Sequence, residues 1–510
     1  MVKRLYFSVL FICFAISAIA QFNVDYSVSV TGNVSSGHDF APYYISSNNQ
    51  GFPTQSKSGY LRAAAKHDMD TTVRFSYGFG ADLVGGGSNS VDTRFFNGDS
   101  WATQSVKPAN FWIQQLYGEI KFRGVFLTVG MKERGSAILN QQLSSGDLSF
   151  SGNTRPLPEV RAGFINFQNI PFTNGWVQIQ GEYSFGWSMD GDWRNERFNK
   201  HNGQITSDFY YSYKRCYFRT KPTQPFFVTV GMQAPMVTGG TTYVYKDGKL
   251  TDTHKEKFGI KELLKTLVPG SGNSSGNDVY YIGNSVGSWD LKATCRLKDK
   301  SEISAYFQWP WEDGSGIGKQ NGFDGLYGIE YKSAKKGWIN GAVIEYLDFM
   351  NQSGPIHWAP GDHEDHSGHF PDQSTGMDDY YNNFQYRGFM YYGMAFGSPF
   401  MRSPIYNKDG SLSFNDNRIR GFHVGVTGNI LPELQYRVLA SWRTSLGTPH
   451  VPRIERANCT SAMLEAVYDI KAVKGLQAKC QLAFDCGDLY GDNFGALVSL
   501  TYNGNFKFGK

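Results

Sequence analysis

The sequence predicts an all-β fold, a single transmembrane antiparallel β-barrel, on three observations. Apolar and polar residues alternate in stretch after stretch from residue 22 to the C-terminus, and a period of two is the side-chain period of a strand. After residue 20 no apolar run approaches the roughly 20 residues of a membrane-spanning helix. The 510 residues include 58 Gly, 38 Phe and 30 Tyr, with only 18% charged. Mean hydropathy is −0.40, which suits a β-protein whose apolar face is hidden in the alternation.

The N-terminus reads as an export signal. Met1-Val2-Lys3-Arg4 is a basic head, Leu5 to Ile16 is almost wholly apolar, and Ala18-Ile19-Ala20 supplies the small residues of a cleavage site. Residues 1–20 are therefore expected to be a signal peptide, cut before Gln21. The bulky Ile12 before Cys13 argues against a lipoprotein site. Residues 21–510 show no compositional break and are expected to form one barrel domain, with an N-terminal polar segment and long surface loops. At about 27 residues per strand and connection, this length allows roughly 16–20 strands. Without the leader, 47 basic residues face 45 acidic ones, a balance that gives no reason to expect nucleic acid. Cys216, Cys295, Cys459, Cys480 and Cys486 are odd in number and lack C-x-x-C spacing. They do not make a disulfide framework, and a single bridge is left open.

The strands follow in order. FNVDYSVSVT (22–31) alternates from Phe22 to Val30. In TVRFSYGFGADL (72–83), Val73, Phe75, Tyr77, Phe79, Ala81 and Leu83 share one face, expected to meet lipid, and Arg74 and Asp82 share the other. Residues 112–122 set Trp112, Leu116, Ile120 and Phe122 against Gln115, Glu119 and Lys121. An Arg123-Gly124 turn leads to Val125, Leu127, Val129 and Met131. Further on, Val177, Ile179, Tyr183 and Phe185 oppose Gln178, Gln180, Glu182 and Ser184. Leu434 to Trp442 and Leu476 to Phe484 repeat the pattern. Strands of about 9–12 residues exceed the usual 5–6 of globular sheets. Short turns alternate with long polar loops at 86–109, 188–208, 239–279 and 351–380. The chain ends Phe506-Lys507-Phe508-Gly509-Lys510, with Phe508 placed to act as the terminal aromatic residue.

Three local patterns invite other readings. GNSSG (272–276) and GNSVG (283–287) match G-x-S-x-G. The first lies in a Gly/Ser/Asn loop and the second precedes a strand, whereas a nucleophile elbow leaves its strand into a helix. GDHEDHSGHFPDQ brings His363, His366 and His369 beside carboxylates, a weak metal candidate in a loop that nothing regular holds. KEKFGIKELLKTLV (255–268) is the one convincing helix, with Phe258, Leu263, Leu264 and Leu267 as its apolar stripe. No enzymatic constellation and no cofactor are expected.

Several motifs, in consistent order over residues 38–502, resemble the capsule-assembly Wzi family, particularly its Bacteroidetes-type members. They are GYLRA (59–63), NTRPLPEVR (153–161), GNSVGSW (283–289), YLDFMNQSGPI (346–356), DDYYNN (378–383), GSPFMRSPIY (397–406), YRVLASW (436–442) and GDNFG (491–495). The resemblance implies an 18-stranded outer-membrane barrel, plugged by loops, that acts as a lectin organising capsular polysaccharide at the cell surface. Its Arg-Pro-x-Pro element falls on Arg155, Pro156, Leu157 and Pro158, with Thr154 where Ala is common. Arg155, Pro156 and Arg161 are then luminal motif residues, with Arg155 expected to pair with a Glu or Asp. Enterobacterial members carry a periplasmic helical segment, and no helix is expected here before residue 60. Tyr380, Tyr381, Asn382, Asn383, Tyr391 and Tyr392 are the candidate glycan-binding residues, since aromatic faces stack on sugars and amides bond hydroxyls. The expected partners are capsular or other surface polysaccharide and outer-membrane lipid. The alternative is an outer-membrane porin or specific diffusion channel, which differs in having an open lumen.

Overall fold

The computed structural model describes residues 22–256, 258–267, 283–312, 314–355, 357–358 and 374–508. The expected signal peptide, Ser274 and the candidate metal residues His363, His366 and His369 lie outside the described residues. Eighteen antiparallel strands form the wall: β1 Phe22–Ser36, β2 Lys57–His67, β3 Phe75–Ser88, β4 Phe111–Phe122, β5 Val125–Met131, β6 Glu159–Phe164 with Gln168–Asn169, β7 Val177–Trp187, β8 Tyr210–Thr220, β9 Phe226–Gln233 with Met236–Thr238, β10 Asn284–Ser285 with Gly287–Arg296, β11 Glu302–Trp311, β12 Gly325–Lys332, β13 Gly341–Asp348, β14 Ile419–Leu431, β15 Leu434–Gly447, β16 Pro452–Asp469, β17 Leu476–Cys486 and β18 Asn493–Phe508. Each pairs with its neighbours in sequence. β18 returns to β1 in register from Phe22↔Phe508 to Ser36↔Phe494 and closes the sheet. Closure leaves no unpaired edge, which a strand-built membrane span requires. Phe508 fills its expected place and stacks on Phe22 with ring centroids 5.2 Å apart.

The alternation sorts side chains between two surfaces. Phe75, Ile120, Leu127, Leu291, Ile344 and Leu464 stand exposed on the outside, while Asp82, Glu119, Glu182, Glu345, Arg443 and Gln481 are buried on the inside. An apolar outer band over a polar interior is the pattern of a transmembrane barrel. Two details differ from the sequence expectation. β3 begins at Phe75, because the ammonium of Lys121 binds the Thr71 and Val73 carbonyls and bends that segment into a turn. Trp112 faces inward, because the pairing of β3 with β4 slips between Asp82↔Gln115 and Leu83↔Ile113 and changes the phase of the strand.

The two barrel ends are unlike. One carries short turns, such as Arg123-Gly124, where Arg123 takes φ 54°. The other carries the long connections, three of which fold into the lumen: residues 37–56, 132–158 and the stretch from 376 to 418. They plug it with a buried core that includes Tyr43, Leu143, Phe150, Phe389, Phe396 and Phe400. Inward polar side chains of the wall hold the plug by its backbone. Asp485 accepts from the Tyr43 amide (2.9 Å), Glu345 from Ser145 (2.6 Å) and Gln308 from Leu148 (3.1 Å). His423 lies 2.6 Å from the Leu143 carbonyl. Irregular backbone at membrane depth needs such partners, since no water or ladder supplies them.

Other expectations are corrected. The loop read as 351–380 runs from 349 to 418, because its second half is plug rather than strand. Among the described residues, the segment read as a helix from 255 to 268 is strand through Lys255 and helix at Ile260–Lys265. Ser285, by contrast, is where the sequence puts it: it lies in β10 and is followed by strand and not by a helix, with its hydroxyl donating to the Pro235 carbonyl at 3.3 Å. The five cysteines among the described residues are free, as the lack of a disulfide framework in the sequence implies, and Cys480 is exposed on the outer wall.

Candidate functional site

Arg155 lies inside the barrel, in the plug segment just before β6. Its guanidinium stands 4.2 Å from the ring centroid of Trp112 on β4 and 4.9 Å from that of Tyr392. No carboxylate among the described residues pairs with it. The expectation of an ion pair is therefore corrected: the flat, delocalised cation is held between aromatic faces. Burial lowers its affinity for the proton below the usual arginine range. Pro156 follows, half-buried, and restricts Arg155 to extended backbone. Arg161, on β6, does pair with carboxylates. Its Nε is 3.1 Å from Glu182, which also receives Arg134 at 2.9 Å and Arg215 at 3.0 Å. Three guanidiniums around one buried carboxylate fix β6, β7, β8 and the incoming plug segment to one another.

The aromatic residues expected to meet glycan are placed differently. Tyr380, Tyr381 and Tyr391 are 1–2% exposed and belong to the plug core. The Tyr380 hydroxyl donates to Asp324 at 3.0 Å and accepts from Asn321 at 3.0 Å. The Tyr381 hydroxyl bonds the Leu148 carbonyl and accepts the Ser398 amide at 3.0 Å. Asn382 bridges to Phe414 in both directions (2.9 and 2.7 Å), and Asn383 caps the Gln385 and Tyr386 amides. Tyr392 is half-buried and donates to the Met189 carbonyl at 2.9 Å. These side chains are spent on packing the plug, so the correction is from an outward sugar-facing surface to an interior one. Burial raises the Asp324 carboxyl to about 6.

An exposed aromatic surface stands elsewhere on the loop end. Residues Val91–Phe96 and Trp101–Val106 form a hairpin, docked through the Arg94 amide on the Lys408 carbonyl (2.9 Å) and the Phe96 amide on the Asn199 carbonyl (2.7 Å). Trp101 is 43% exposed. The Arg94 guanidinium lies 5.0 Å from its ring, Phe96 meets it edge-on at 5.6 Å, and the His201 ring lies 5.1 Å away. Asp92, Thr103 and Ser105 share the outward face of the same hairpin and are exposed. An aromatic plane flanked by a guanidinium, an imidazole, a carboxylate and hydroxyls can stack on an apolar ring face while bonding polar groups at its rim. The sequence expectation missed this group by reading 86–109 as a plain polar loop. The signal was present: VDTRFF and WATQSV flank Asn97-Gly98-Asp99-Ser100, a strand–turn–strand pattern.

No family model matches the chain, and no curated protein matches it in sequence. Solved structures do resemble it. Wzi, an outer membrane protein involved in group 1 capsule assembly in Escherichia coli and a carbohydrate-binding β-barrel, aligns with a TM-score of 0.53 at 13% identity, over 96% of this chain and 86% of that one. OccAB2 of Acinetobacter baumannii aligns with a TM-score of 0.45 at 8% identity, over 95% and 98% of the two chains. OccK5 (OpdH) of Pseudomonas aeruginosa gives 0.43 at 10% identity, over the same shares. At such identity the likeness to Wzi is one of fold.

Proposed function

We propose that the protein is a non-enzymatic lectin of the outer membrane, with its loop end at the cell surface, that anchors or organises capsular or other exopolysaccharide there. The observation that carries this reading is the exposed Trp101, flanked by Arg94 and His201, on a barrel end closed by its own loops. A plugged end offers polymer a surface to rest on. The indole would stack on the C–H face of a sugar, and Arg94 would pair with acidic groups or donate to hydroxyls. Contacts repeated along a polymer by many barrels give retention even where each is weak. The fold's likeness to a carbohydrate-binding barrel involved in capsule assembly accords with this reading.

The test is glycan binding by the purified protein, against the host strain's own surface polysaccharide, together with a deletion strain. Cells lacking the protein are expected to shed polymer into the medium while total polymer stays the same. A fall in total polymer would assign the protein to synthesis or export instead. Unchanged polymer with large single-channel conductance and reduced solute uptake would assign it to diffusion.

A further inference from the structure

Below the plug the lumen is open. A cavity of about 530 Å³ runs from Asn49, Phe52 and Pro53, on the underside of the plug, to Lys66 and Asp68 at the turn end of β2. One wall is a hydroxyl ladder: Ser27, Ser29 and Thr31 of β1 beside Ser499 and Thr501 of β18, with the Thr31 and Ser499 oxygens 2.7 Å apart. Phe52 and Tyr60 add an apolar wall, meeting edge-on at 5.8 Å. The volume is that of an ordinary small-ligand site.

The cations of this region are nearly all committed. Arg62 binds Asp82 and Glu133, Lys132 binds Glu119 at 2.7 Å, and Lys66 binds Asp68 at 2.7 Å. Arg437 holds both oxygens of Glu465, at 3.0 and 2.9 Å, and Gln481 also donates to that carboxylate. Lys479 has neither a hydrogen bond nor an ion pair among the described residues; the charges that act on it from further off are Glu465, Arg437 and Arg62, one carboxylate against two guanidiniums, each already paired with another residue. Lys479 also lines a narrow second cavity of about 60 Å³ that reaches into the plug beside Asn48, Gln141 and Ser144. The uncommitted ammonium therefore stands where the two cavities meet.

We propose that this turn-end cavity binds a small acidic saccharide, a hydroxylated ring bearing a carboxylate, which enters from the turn side and places its carboxylate on Lys479. A carboxylate gives the ammonium the charge-assisted hydrogen bond that the chain does not. The ladder supplies donors and acceptors for ring hydroxyls, and Phe52 and Tyr60, packed on Trp112, close the plug side of the cavity with apolar surface. The plug closes the upper end, so the site takes a short ligand and passes no polymer. It is separate from the loop-end surface and stands or falls without it.

Equilibrium dialysis of the purified barrel in detergent tests this, with glucuronate, glucose and inorganic phosphate as probes. Glucuronate is expected to saturate at one per barrel, with glucose and phosphate each at least tenfold weaker. Lys479→Gln should weaken glucuronate at least tenfold, and Lys479→Arg should keep most of the binding. Trp101→Ala should leave it unchanged, which separates this site from the loop-end reading. Absence of glucuronate saturation in the wild type, equal binding of glucose or phosphate, or full binding by a folded Lys479→Gln protein would each overturn the proposal. The comparison among probes on the wild type holds even where a variant does not assemble.

Discussion

The guanidinium of Arg155 lies over the indole of Trp112, 4.2 Å from its centroid, and joins the plug to the barrel wall without any carboxylate. Phe52 and Tyr60 meet the same indole edge-on at 5.3 and 5.5 Å, and the indole N–H donates to Gln114 at 2.8 Å. One side chain of β4 thus gathers the plug segments at 37–56 and 132–158. A partly desolvated cation–π contact contributes about 1–2 kcal/mol. Arg155→Lys keeps the charge but loses the planar stack, and is expected to cost about 1 kcal/mol. The measurement is the temperature at which the folded barrel converts to the slower unfolded band on a denaturing gel, with limited proteolysis reporting plug order. Identical transitions and identical cleavage would remove Arg155 as the tie.

Gly51 is expected to be at least as sensitive as Arg155 itself. It sits at φ +82°, and a Cβ there would lie 2.7 Å from Arg155 Cγ and 2.8 Å from the Arg155 amide nitrogen. Gly51→Ala should therefore cost about 1–3 kcal/mol, from left-handed backbone and displacement of the plug. Gly32→Ala is the control, since its nearest neighbour would be 3.9 Å away. Equal gel transitions for the two variants would show that the Gly51 turn is not under constraint.

How far this arrangement could be read from sequence depends on what pattern each part leaves. β3 and β17 were legible because one face meets lipid and the other the lumen, so the chemistry alternates with the pleat. Trp112 was misplaced because a slip of one residue in pairing inverts a face without changing composition. The plug was illegible in detail. Segments such as Tyr380–Tyr406 carry no period, since irregular backbone buries side chains wherever the cavity allows. Their tyrosines look identical in sequence whether the hydroxyl meets a sugar or, as at Tyr380, Asp324. The absence of a carboxylate beside Arg155 was equally hidden, because its partners come from β4 and from a segment more than 200 residues later.

Asp324 is expected to give the plug a pH dependence. Its carboxyl accepts the Asn351 and Gln352 amides at 3.0 and 2.7 Å and the Tyr380 hydroxyl, yet burial raises it from 3.8 to about 6. The folded form then holds the proton more tightly than the unfolded one. Its contribution is complete below about pH 4 and is lost as pH rises through 6, a change of about 2–3 kcal/mol. Asp324→Asn should melt with a flatter profile across pH 4–7 than the wild type. Parallel profiles would place the dependence on other groups.

The outer wall should respond to charge by depth. Phe79 pairs with Gly118 four residues inside β3, whereas Phe75 pairs with Phe122 at the turn-end rim, where Arg74 and Arg123 already lie over the Phe122 ring. An arginine near the bilayer midplane costs about 2–4 kcal/mol and one at the interface about 0–1. Phe79→Arg, further along β3, is therefore expected to impair assembly into lipid vesicles more than Phe75→Arg at the rim. Equal assembly of both would remove the outer face from contact with lipid.

Trp101 is where binding and folding should separate. Its ring is exposed, and its contacts are with Arg94 and Phe96 of the same hairpin and with His201 of the 188–208 connection, all outside the plug core. Removing it should leave the heat transition of the barrel within about 0.5 kcal/mol, as expected for an exposed position. If the hairpin is the glycan surface, Trp101→Ala loses a stacking contact of about 0.5–1.5 kcal/mol per site. On that reading many barrels would hold one polymer, so these losses would multiply along it and retention by the cell should fall much further than binding of a short oligosaccharide. Arg94→Ala should weaken acidic polymer and spare neutral polymer. Tyr380→Phe, a buried change, should do the reverse of Trp101→Ala and lower the heat transition while sparing the glycan. Wild-type polymer retention in cells carrying both Trp101→Ala and Arg94→Ala would move the binding surface off this hairpin.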